Sequence, residues 1–385
     1  MKGLIISDQH FGAVDGHRLI VEHEESLFLH MDSLVSLDFI FILGDYFDHK
    51  MYMNDYNAYA AIVVMQRILE YAKKFKSIVR IIYGTASHEC GQYSMFQSLF
   101  DDSKADIKVI EHVCDENVKG LDILYLPEEY IYDKKEYYKD TLYSGKKYHY
   151  IFGHGVIKEV MTNACRNESK DKKVLRKKVP YFTTAELKNA CCGEVYFGHY
   201  HVHTVIQDNI HYVGSFSSWI FGEASSPKGF YMIDSDGYHN TFIKNTLARK
   251  FEDVYYQSHS DIYSDENALL NELTRIDTLI SNSIYDMIKL HFELPEDFGN
   301  TQMFLNVVTN RYSNSENVKI DINTNGTNNE NNDHIAIENN NEYSVIFDKN
   351  IPIDEKIRFY IKKDFDKDVD LQTIRECIHL TYDNN

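Results

Sequence analysis

The stretch Tyr196-Phe197-Gly198-His199-Tyr200-His201 is an apolar run that ends in two histidines separated by a single residue. Four earlier stretches share its form, an apolar run followed at once by a residue type that binds metal ions. They are residues 4–7 before Asp8 and His10, 39–43 before Asp45, 78–83 before His88, and 148–152 before His154. Short apolar runs are typical of buried strands, and sites in open α/β sheets assemble beyond the carboxyl ends of the strands. The sequence therefore predicts that these groups meet at one edge of the fold.

The chain of 385 residues is long enough for one large and one smaller domain. Strand-like and helix-like stretches alternate over residues 1–250, which predicts an α/β domain with sheets covered by helices. After His201, short strands joined by turns predict a meander that closes this domain. A second, α+β region is expected over residues 251–385. Within it, residues 313–341 contain eleven asparagines in 29 positions, which predicts a mobile loop or linker.

Composition excludes several classes of protein. The six cysteines form no CxxC pair, which argues against a disulfide scaffold or a zinc finger. The sequence begins with a strand-like run rather than a signal peptide, and no apolar run approaches the roughly 18 residues of a membrane span. We therefore expect a protein of the reducing cytoplasm that has no membrane partner.

The net charge of −19 argues against general nucleic-acid binding, but the charge is unevenly spread. Residues 158–178 hold eight basic side chains against three acidic ones, and they lie between His154 and His199. This segment is either a solvated surface or a patch that contacts phosphates. The candidate nucleic-acid ligands in it are Lys170, Lys172, Lys173, Arg176, Lys177 and Lys178.

The residue types fit a centre with two divalent cations, which needs a bridging carboxylate surrounded by imidazoles and further carboxylates. Asp45 is the predicted bridge. The predicted ligands of the first metal are Asp8, His10 and His201, and those of the second are His154 and His199. Two cations about 3.5–4 Å apart can hold a phosphate, generate a hydroxide and stabilise the leaving oxygen.

Two further residues receive catalytic roles. His88 is the predicted proton donor to the leaving oxygen, and Asp48 is expected to orient a histidine or a water molecule. Each motif alone has a simpler interpretation, such as a turn at Asp8 or a helix cap at Asp45. Their joint occurrence, each directly after a strand, favours the metal centre.

Taken together, the motifs resemble those of the calcineurin-like metallophosphoesterase superfamily, which read D-x-H, GD-x-x-D, GNH-D/E, GH and GH-x-H. Here they stand as Asp8-Gln-His10, Gly44-Asp45-Tyr-Phe-Asp48, Gly84-Thr-Ala-Ser-His88-Glu89, Gly153-His154 and Gly198-His199-Tyr-His201. Within the superfamily, the stretches 210–216 and 227–234 resemble the SbcD-like DNA nucleases, in particular those of large phages. The resemblance covers residues 1–250.

The resemblance implies a four-layer β-sandwich flanked by helices, followed by a small α+β capping domain. It implies a DNA exo/endonuclease that uses two divalent ions, Mn²⁺ first, with Mg²⁺, Zn²⁺ or Fe²⁺ as alternatives. The implied partners are DNA and an SbcC-like ATPase, in a complex that contains a dimer of this chain. Its expected place is the cytoplasm of a bacterium or of a phage-infected cell.

The third motif departs from the family. Family members have Gly-Asn-His there, and the Asn oxygen binds the second metal, whereas Ser87 precedes His88 here and two residues are added. Ser87 is therefore a candidate ligand of the second metal, directly or through water. The run resembles a Gly-Thr-x-Ser-His variant found in a related nuclease subgroup.

Two other functions are compatible with the sequence. A phosphoesterase that acts on a small molecule or a phosphoprotein uses the same ligands, and the acidic charge of the chain fits it well. A non-enzymatic scaffold with the same fold is supported only by Ser at the place of Asn.

Overall fold

The computed structural model describes residues 2–160, 181–234, 239–256, 265–282, 285–294, 301–312, 314–315, 317–324, 355, 357–358, 361, 369–370 and 373–374. The chain divides into two compact units, Met1–Phe251 and Glu252–Asn385. The division lies one residue from the boundary expected at residue 250. All the predicted metal ligands belong to the first unit.

The first unit alternates strands and helices, as its sequence pattern predicts. Its strands are β1 (Lys2–Ile6), β2 (Phe39–Leu43), β3 (Ile78–Ile82), β4 (Asp106–Ile110), β5 (Cys114–Val118), β6 (Leu121–Leu126), β7 (Tyr148–His154), β8 (Val156–Ile157), β9 (Tyr181–Phe182), β10 (Cys191–Gly198), β11 (Thr204–Gln207), β12 (Ile210–Tyr212), β13 (Gly229–Asp234) and β14 (His239–Lys244). Its α-helices are α1 (Gly16–Glu22), α2 (Leu29–Asp32), α3 (Tyr56–Phe75), α4 (Ala86–Glu89), α5 (Gln97–Ser103), α6 (Lys134–Tyr137) and α7 (Thr184–Ala190). A π-helical turn, His23–Phe28, joins α1 to α2.

Two six-stranded mixed sheets form the frame of this unit. The first has the order β14-β13-β1-β2-β3-β4, and the second has the order β11-β12-β10-β7-β6-β5. Strands β1 to β4 are parallel, as are β6, β7, β10 and β12. Parallel strands are buried on both faces, which is why β2 reads as the uninterrupted apolar run Phe39–Leu43.

The expected closing meander is divided between the two sheets. Strands β11 and β12 pair with each other and extend the second sheet beside β10, whereas β13 and β14 pair antiparallel beside β1 in the first. The prediction of a single meander was therefore wrong, although its strands exist. Short amphipathic strands carry no signal for which sheet they join, because either sheet can bury one face of them.

The two sheets pack face to face, and helices cover their outer sides. Residues of β2 alternate, so Phe41 enters the core between the sheets and stacks on Phe152 of β7 with ring centroids 3.9 Å apart. Ile40 and Ile42 point the other way, toward the buried face of α3. On the far side, Leu187 of α7 packs against the second sheet. The unit is therefore a mixed α/β fold built from helices and two sheets.

The second unit has its own core and a three-stranded sheet in the order β15 (Phe251–Tyr256), β16 (Met287–Leu294) and β17 (Val318–Thr324). Two helices accompany it, α8 (Glu266–Ser281) and α9 (Thr301–Tyr312). Leu273 of α8, Phe292 of β16 and Phe304 of α9 lie in one apolar cluster. The described part of this unit is thus α+β.

The prediction of a loop over residues 313–341 was wrong for residues 318–324, which form β17 and pair in parallel with β16. Val318, Ile320 and Ile322 alternate with polar residues and pack against the core of the second unit. The many asparagines around this stretch obscure the alternation of apolar and polar side chains, which is the pattern of a half-buried strand. Residues 325–341 lie outside the described residues.

Among the helices of the described residues, none is both long and apolar enough to cross a membrane.

Candidate metal centre

The register of the parallel strands brings the loops of the predicted motifs to one edge of each sheet. In the first sheet, Ile6 lies opposite Ile42, and Leu43 lies opposite Ile82. In the second, Gly198 lies opposite His154. The residues that follow these strand ends are therefore neighbours, as the rule for carboxyl ends of parallel strands requires.

The backbone of the motif loops adopts unusual conformations. Asp8, His10 and Asp45 have φ angles of 49°, 45° and 48°, in the left-handed region that few residues other than Gly occupy. Gly44 has a φ of 78°, and a Cβ at this residue would lie 2.4 Å from Nδ1 of His154. The glycine is required because the two loops approach too closely for any side chain. Strained conformations of this kind concentrate at functional sites.

The first cluster consists of Asp8, His10 and His201, which each offer a ligand atom within 4.8 Å of the other two. Nε2 of His10 lies 3.0 Å from Nε2 of His201, and Nε2 of His201 lies 3.8 Å from Oδ1 of Asp8. Asp8 and His10 are buried, and the backbone N–H of His199 donates to Oδ1 of Asp8 at 3.0 Å.

The second cluster consists of Asp45, His154 and His199, whose ligand atoms also lie within 4.8 Å of one another. Oδ2 of Asp45 is 3.3 Å from Nε2 of His154 and 3.9 Å from Nε2 of His10. Asp45 therefore stands between the two clusters. A carboxylate in this position can bridge two cations, as the sequence predicts for Asp45.

His154 provides the clearest test of whether a cation fits. Its side chain is fully buried, and Nδ1 donates to the carbonyl of Leu43 at 2.7 Å. Nε2 makes no hydrogen bond among the described residues although it lies in a cluster of carboxylates and imidazoles. A buried polar atom without a hydrogen bond is costly, and a metal ion bound at Nε2 removes that cost. Fixing Nδ1 on a carbonyl is also the usual way to orient a metal-binding imidazole.

The electrostatics of the second cluster also favour a cation. Burial alone lowers the pKa of His154, but the negative charge of Asp45 outweighs it, and the net effect is a raised pKa. Burial would raise the pKa of Asp45, and the neighbouring histidines, His154 foremost, lower it instead. The second cluster therefore stabilises a positive charge, which can be that of a proton or of a metal ion.

His88 and Asp48 flank the first cluster, and both form a third group with His10. The rings of His10 and His88 meet edge to face with centroids 5.0 Å apart. Nδ1 of His88 donates to the backbone carbonyl of Asp48, which leaves Nε2 as the nitrogen that can exchange a proton. Oδ1 of Asp48 lies 3.2 Å from Nδ1 of His10. This is the orienting position that the sequence predicts for Asp48.

Ser87 is the one predicted ligand that no described contact joins to either cluster. Its side chain is exposed on α4, and its backbone carbonyl accepts from the thiol of Cys90. Thr85 lies against Asp45 instead, with its backbone N–H donating to Oδ1 at 2.6 Å and its hydroxyl to Oδ2 at 3.2 Å. The short helix that starts after Thr85 carries His88 toward the site, whereas Ser87 is turned to solvent.

Three buried residues outside the predicted set support the clusters. Oε2 of Glu128 lies 3.2 Å from Nδ1 of His199. Nδ1 of His201 donates to Oε1 of Glu223 at 2.7 Å, and Lys228 donates to Oε2 of Glu223 at 2.7 Å. Glu128 follows β6 after one residue, Pro127, so it stands just past a strand end like the other ligands. Glu223 and Lys228 follow no strand end, so the sequence alone does not identify them.

The basic segment falls largely outside the described residues. Lys170, Lys172, Lys173, Arg176, Lys177 and Lys178 all lie in the stretch 161–180, of which nothing is described. Their proposed contact with nucleic acid stays a prediction.

Comparisons with known proteins add little. No protein-family model matches the chain, and no curated protein does. One solved chain aligns with 64% of this chain and 99% of its own length, at 10% identity and a TM-score of 0.34. A likeness this weak says nothing about the function of this chain.

Proposed function

We propose that this chain is a metal-dependent phosphodiesterase of the calcineurin-like metallophosphoesterase type, and that its substrate is DNA. The observation that carries the proposal is the position of Asp45, a buried carboxylate that lies between the two groups of metal-binding side chains. Two sheets packed face to face with helices outside are consistent with the four-layer sandwich of that superfamily.

The first cluster would hold one cation and the second cluster another, with Asp45 shared. Two divalent ions supply what phosphodiester hydrolysis needs, since they orient the phosphate, lower the pKa of water and stabilise the leaving oxygen. Mixed imidazole and carboxylate donors suit Mn²⁺, and they also accept Zn²⁺ or Fe²⁺. Manganese is the proposed ion.

His88 is the proposed proton donor to the leaving oxygen. Because the carbonyl of Asp48 can only accept a hydrogen bond, Nδ1 of His88 keeps its proton, and Nε2 is the nitrogen that donates and recovers one. Asp48 and Glu223 hold His10 and His201 from the side away from the first cluster. Buried contacts of this kind keep the ligands in position before substrate arrives.

DNA as the substrate rests on the resemblance of residues 1–250 to SbcD-like nucleases. The same resemblance supports an SbcC-like ATPase as partner, a dimer of this chain within that complex, and a cytoplasmic place of action. The net charge of −19 fits such a nuclease if the partner supplies most of the DNA contacts.

The acidic charge equally favours a second candidate, a phosphoesterase for a small molecule or a phosphoprotein. Net negative charge weakens the long-range attraction of a DNA polyanion but affects a small substrate less. A substrate comparison therefore has to distinguish the two.

The test is Mn²⁺-dependent degradation of end-labelled linear DNA, with bis-p-nitrophenyl phosphate as a small diester in parallel. We expect both to be hydrolysed, and His88→Ala to slow DNA hydrolysis about 100-fold or more, the usual contribution of a general acid. His17→Ala is the matched control, because His17 is an exposed histidine on α1.

Hydrolysis of the small diester with intact DNA, also after addition of a candidate ATPase partner, would favour the second candidate. No hydrolysis of either substrate and no bound metal would contradict both and leave a non-enzymatic scaffold.

A further inference from the structure

Glu128 lies beside the second cluster although none of the five sequence motifs contains it. It follows β6 after Pro127, and its side chain is only 4% exposed. Strand β6 pairs in parallel with β7, and Leu126 lies opposite Gly153. This register places the residues just past β6 next to His154, as it does for the other ligands past their own strands.

The carboxylate of Glu128 approaches two members of the second cluster. Oε2 lies 3.2 Å from Nδ1 of His199 and 3.9 Å from Nε2 of His154. The latter is the fully buried nitrogen that makes no hydrogen bond among the described residues. An unsatisfied imidazole nitrogen that faces two carboxylates, those of Asp45 and Glu128, is the arrangement of a cation site.

The backbone and Thr85 hold Glu128 in this position. Its N–H donates to the carbonyl of Tyr83 at 3.3 Å, which ties the end of β6 to the loop after β3. The hydroxyl of Thr85 lies 3.1 Å from Oε2 of Glu128 and 3.2 Å from Oδ2 of Asp45. Thr85 therefore links the two carboxylates without neutralising either of them.

We propose that Glu128 is a ligand of the metal ion held by Asp45, His154 and His199, so that this site has two carboxylates and two imidazoles. The inference rests on the proposed two-metal function. It supplies a ligand where Ser87 is turned to solvent, and it adds a negative charge and a hard oxygen donor. Such donors favour Mn²⁺ and Mg²⁺ over softer ions.

The alternative is that Glu128 only orients His199 through a hydrogen bond. Two variants separate these roles. Glu128→Gln keeps the shape and an oxygen that accepts from His199 but removes the charge, whereas Glu128→Ala removes both. Glu129→Gln is the matched control, because Glu129 is also buried but contacts Nδ1 of His112 at 2.9 Å and the N–H of Val113 at 3.0 Å.

The experiment is calorimetric titration of the metal-free full-length chain with Mn²⁺, with thermal melts in EDTA to show that each variant is folded. We expect two Mn²⁺ per wild-type chain, and a single Mn²⁺ per chain of Glu128→Gln and of Glu128→Ala, because each variant removes a charged oxygen ligand from one site. Binding at the other site and both sites of Glu129→Gln should match the wild type.

The remaining outcomes distinguish the role of Glu128 from the proposed function. If Glu128→Gln binds two Mn²⁺ as the wild type does and only Glu128→Ala is weakened, Glu128 orients His199 and the inference is overturned. If neither variant changes binding, Glu128 has no role at the metal, while the proposed function stands. If the wild-type chain itself binds no Mn²⁺, the proposed function fails, irrespective of Glu128.

Discussion

At the scale of single residues, the chemistry of the site depends on side chains whose second polar atom is already occupied. His154 is fixed by the carbonyl of Leu43, and His201 by the carboxylate of Glu223. Each histidine therefore has one nitrogen left for a metal ion, and its ring cannot rotate without losing a hydrogen bond. This is how a protein builds a metal site before the metal arrives.

Glu223 is predicted to matter for both stability and metal binding. It is almost fully buried together with Lys228. Burial alone would raise the pKa of Glu223, but the hydrogen bond with His201 and the charge of Lys228 outweigh burial and lower it to about 2. Glu223→Ala would leave the charge of Lys228 buried without its partner, which costs on the order of 3–5 kcal/mol, and it would remove the oxygen that accepts from His201. We expect a lower free energy of unfolding in urea and weaker Mn²⁺ binding.

The double variant Glu223→Ala with Lys228→Met is the control. It should recover much of the stability, because no unpaired charge is left, but not the metal affinity, since His201 still lacks its carboxylate. A single variant as stable as the wild type would show that the pair contributes little.

Most of the site residues can be predicted from the sequence because each stands at the end of an apolar strand or just past it. Asp8, Asp45, His154 and His199 are brought together as expected. The place of Ser87 directly before His88 predicts a metal ligand, but the helix that begins after Thr85 turns its side chain outward. Glu128 also stands just past a strand end, but no motif of the resembling family contains it.

At the scale of elements, the apolar composition of the buried strands predicts them, and the helical repeat of apolar side chains predicts helix α3. The π-helical turn His23–Phe28 does not, because its hydrogen bonding depends on what it packs against. His23 lies at its start, fully buried, with Nδ1 donating to the carbonyl of Leu19 at 2.7 Å and Nε2 2.9 Å from the amide of Gln9. The sequence marks this histidine only as a packing or surface residue.

His23 is predicted to make the first unit sensitive to acid. Burial lowers the pKa of its imidazole to about 4. The unfolded chain, with a pKa of about 6.5, therefore binds this proton more readily, and stability is lost as pH falls from about 6.5 toward 4. A pKa that drops from about 6.5 to about 4 corresponds to a loss on the order of 3 kcal/mol.

The measurement is urea unfolding of the metal-free chain at a series of pH values, for the wild type and His23→Gln. We expect a smaller loss of stability between pH 6.5 and 4 in the variant, because glutamine does not titrate. Parallel curves for the two proteins would show that His23 is not buried in its neutral form.

At the scale of the whole molecule, the two units could be separated from the sequence, but the order of the strands could not. Strands β11 to β14 look alike in sequence, and yet β11 and β12 join one sheet and β13 and β14 the other. Such pairing depends on contacts between residues far apart in the chain. The same long-range pairing brings His199 into hydrogen-bond contact with Asp8, although the two residues are 191 positions apart in the sequence.

The centre depends on both sheets, since Asp8 and Asp45 follow strands of the first, while His154 ends one strand of the second and His199 follows another. Neither sheet alone supplies a complete set of ligands for two ions. We therefore expect metal binding to stabilise the packing of one sheet on the other, because only the folded unit binds it.

The most direct test of the two-metal account is anomalous diffraction from crystals of the chain grown with Mn²⁺. We expect two manganese peaks, one among Asp8, His10 and His201 and one among Asp45, His154 and His199, with Asp45 in contact with both. Crystals saturated with Mn²⁺ that show no peak at these residues, or a single peak away from Asp45, would contradict it.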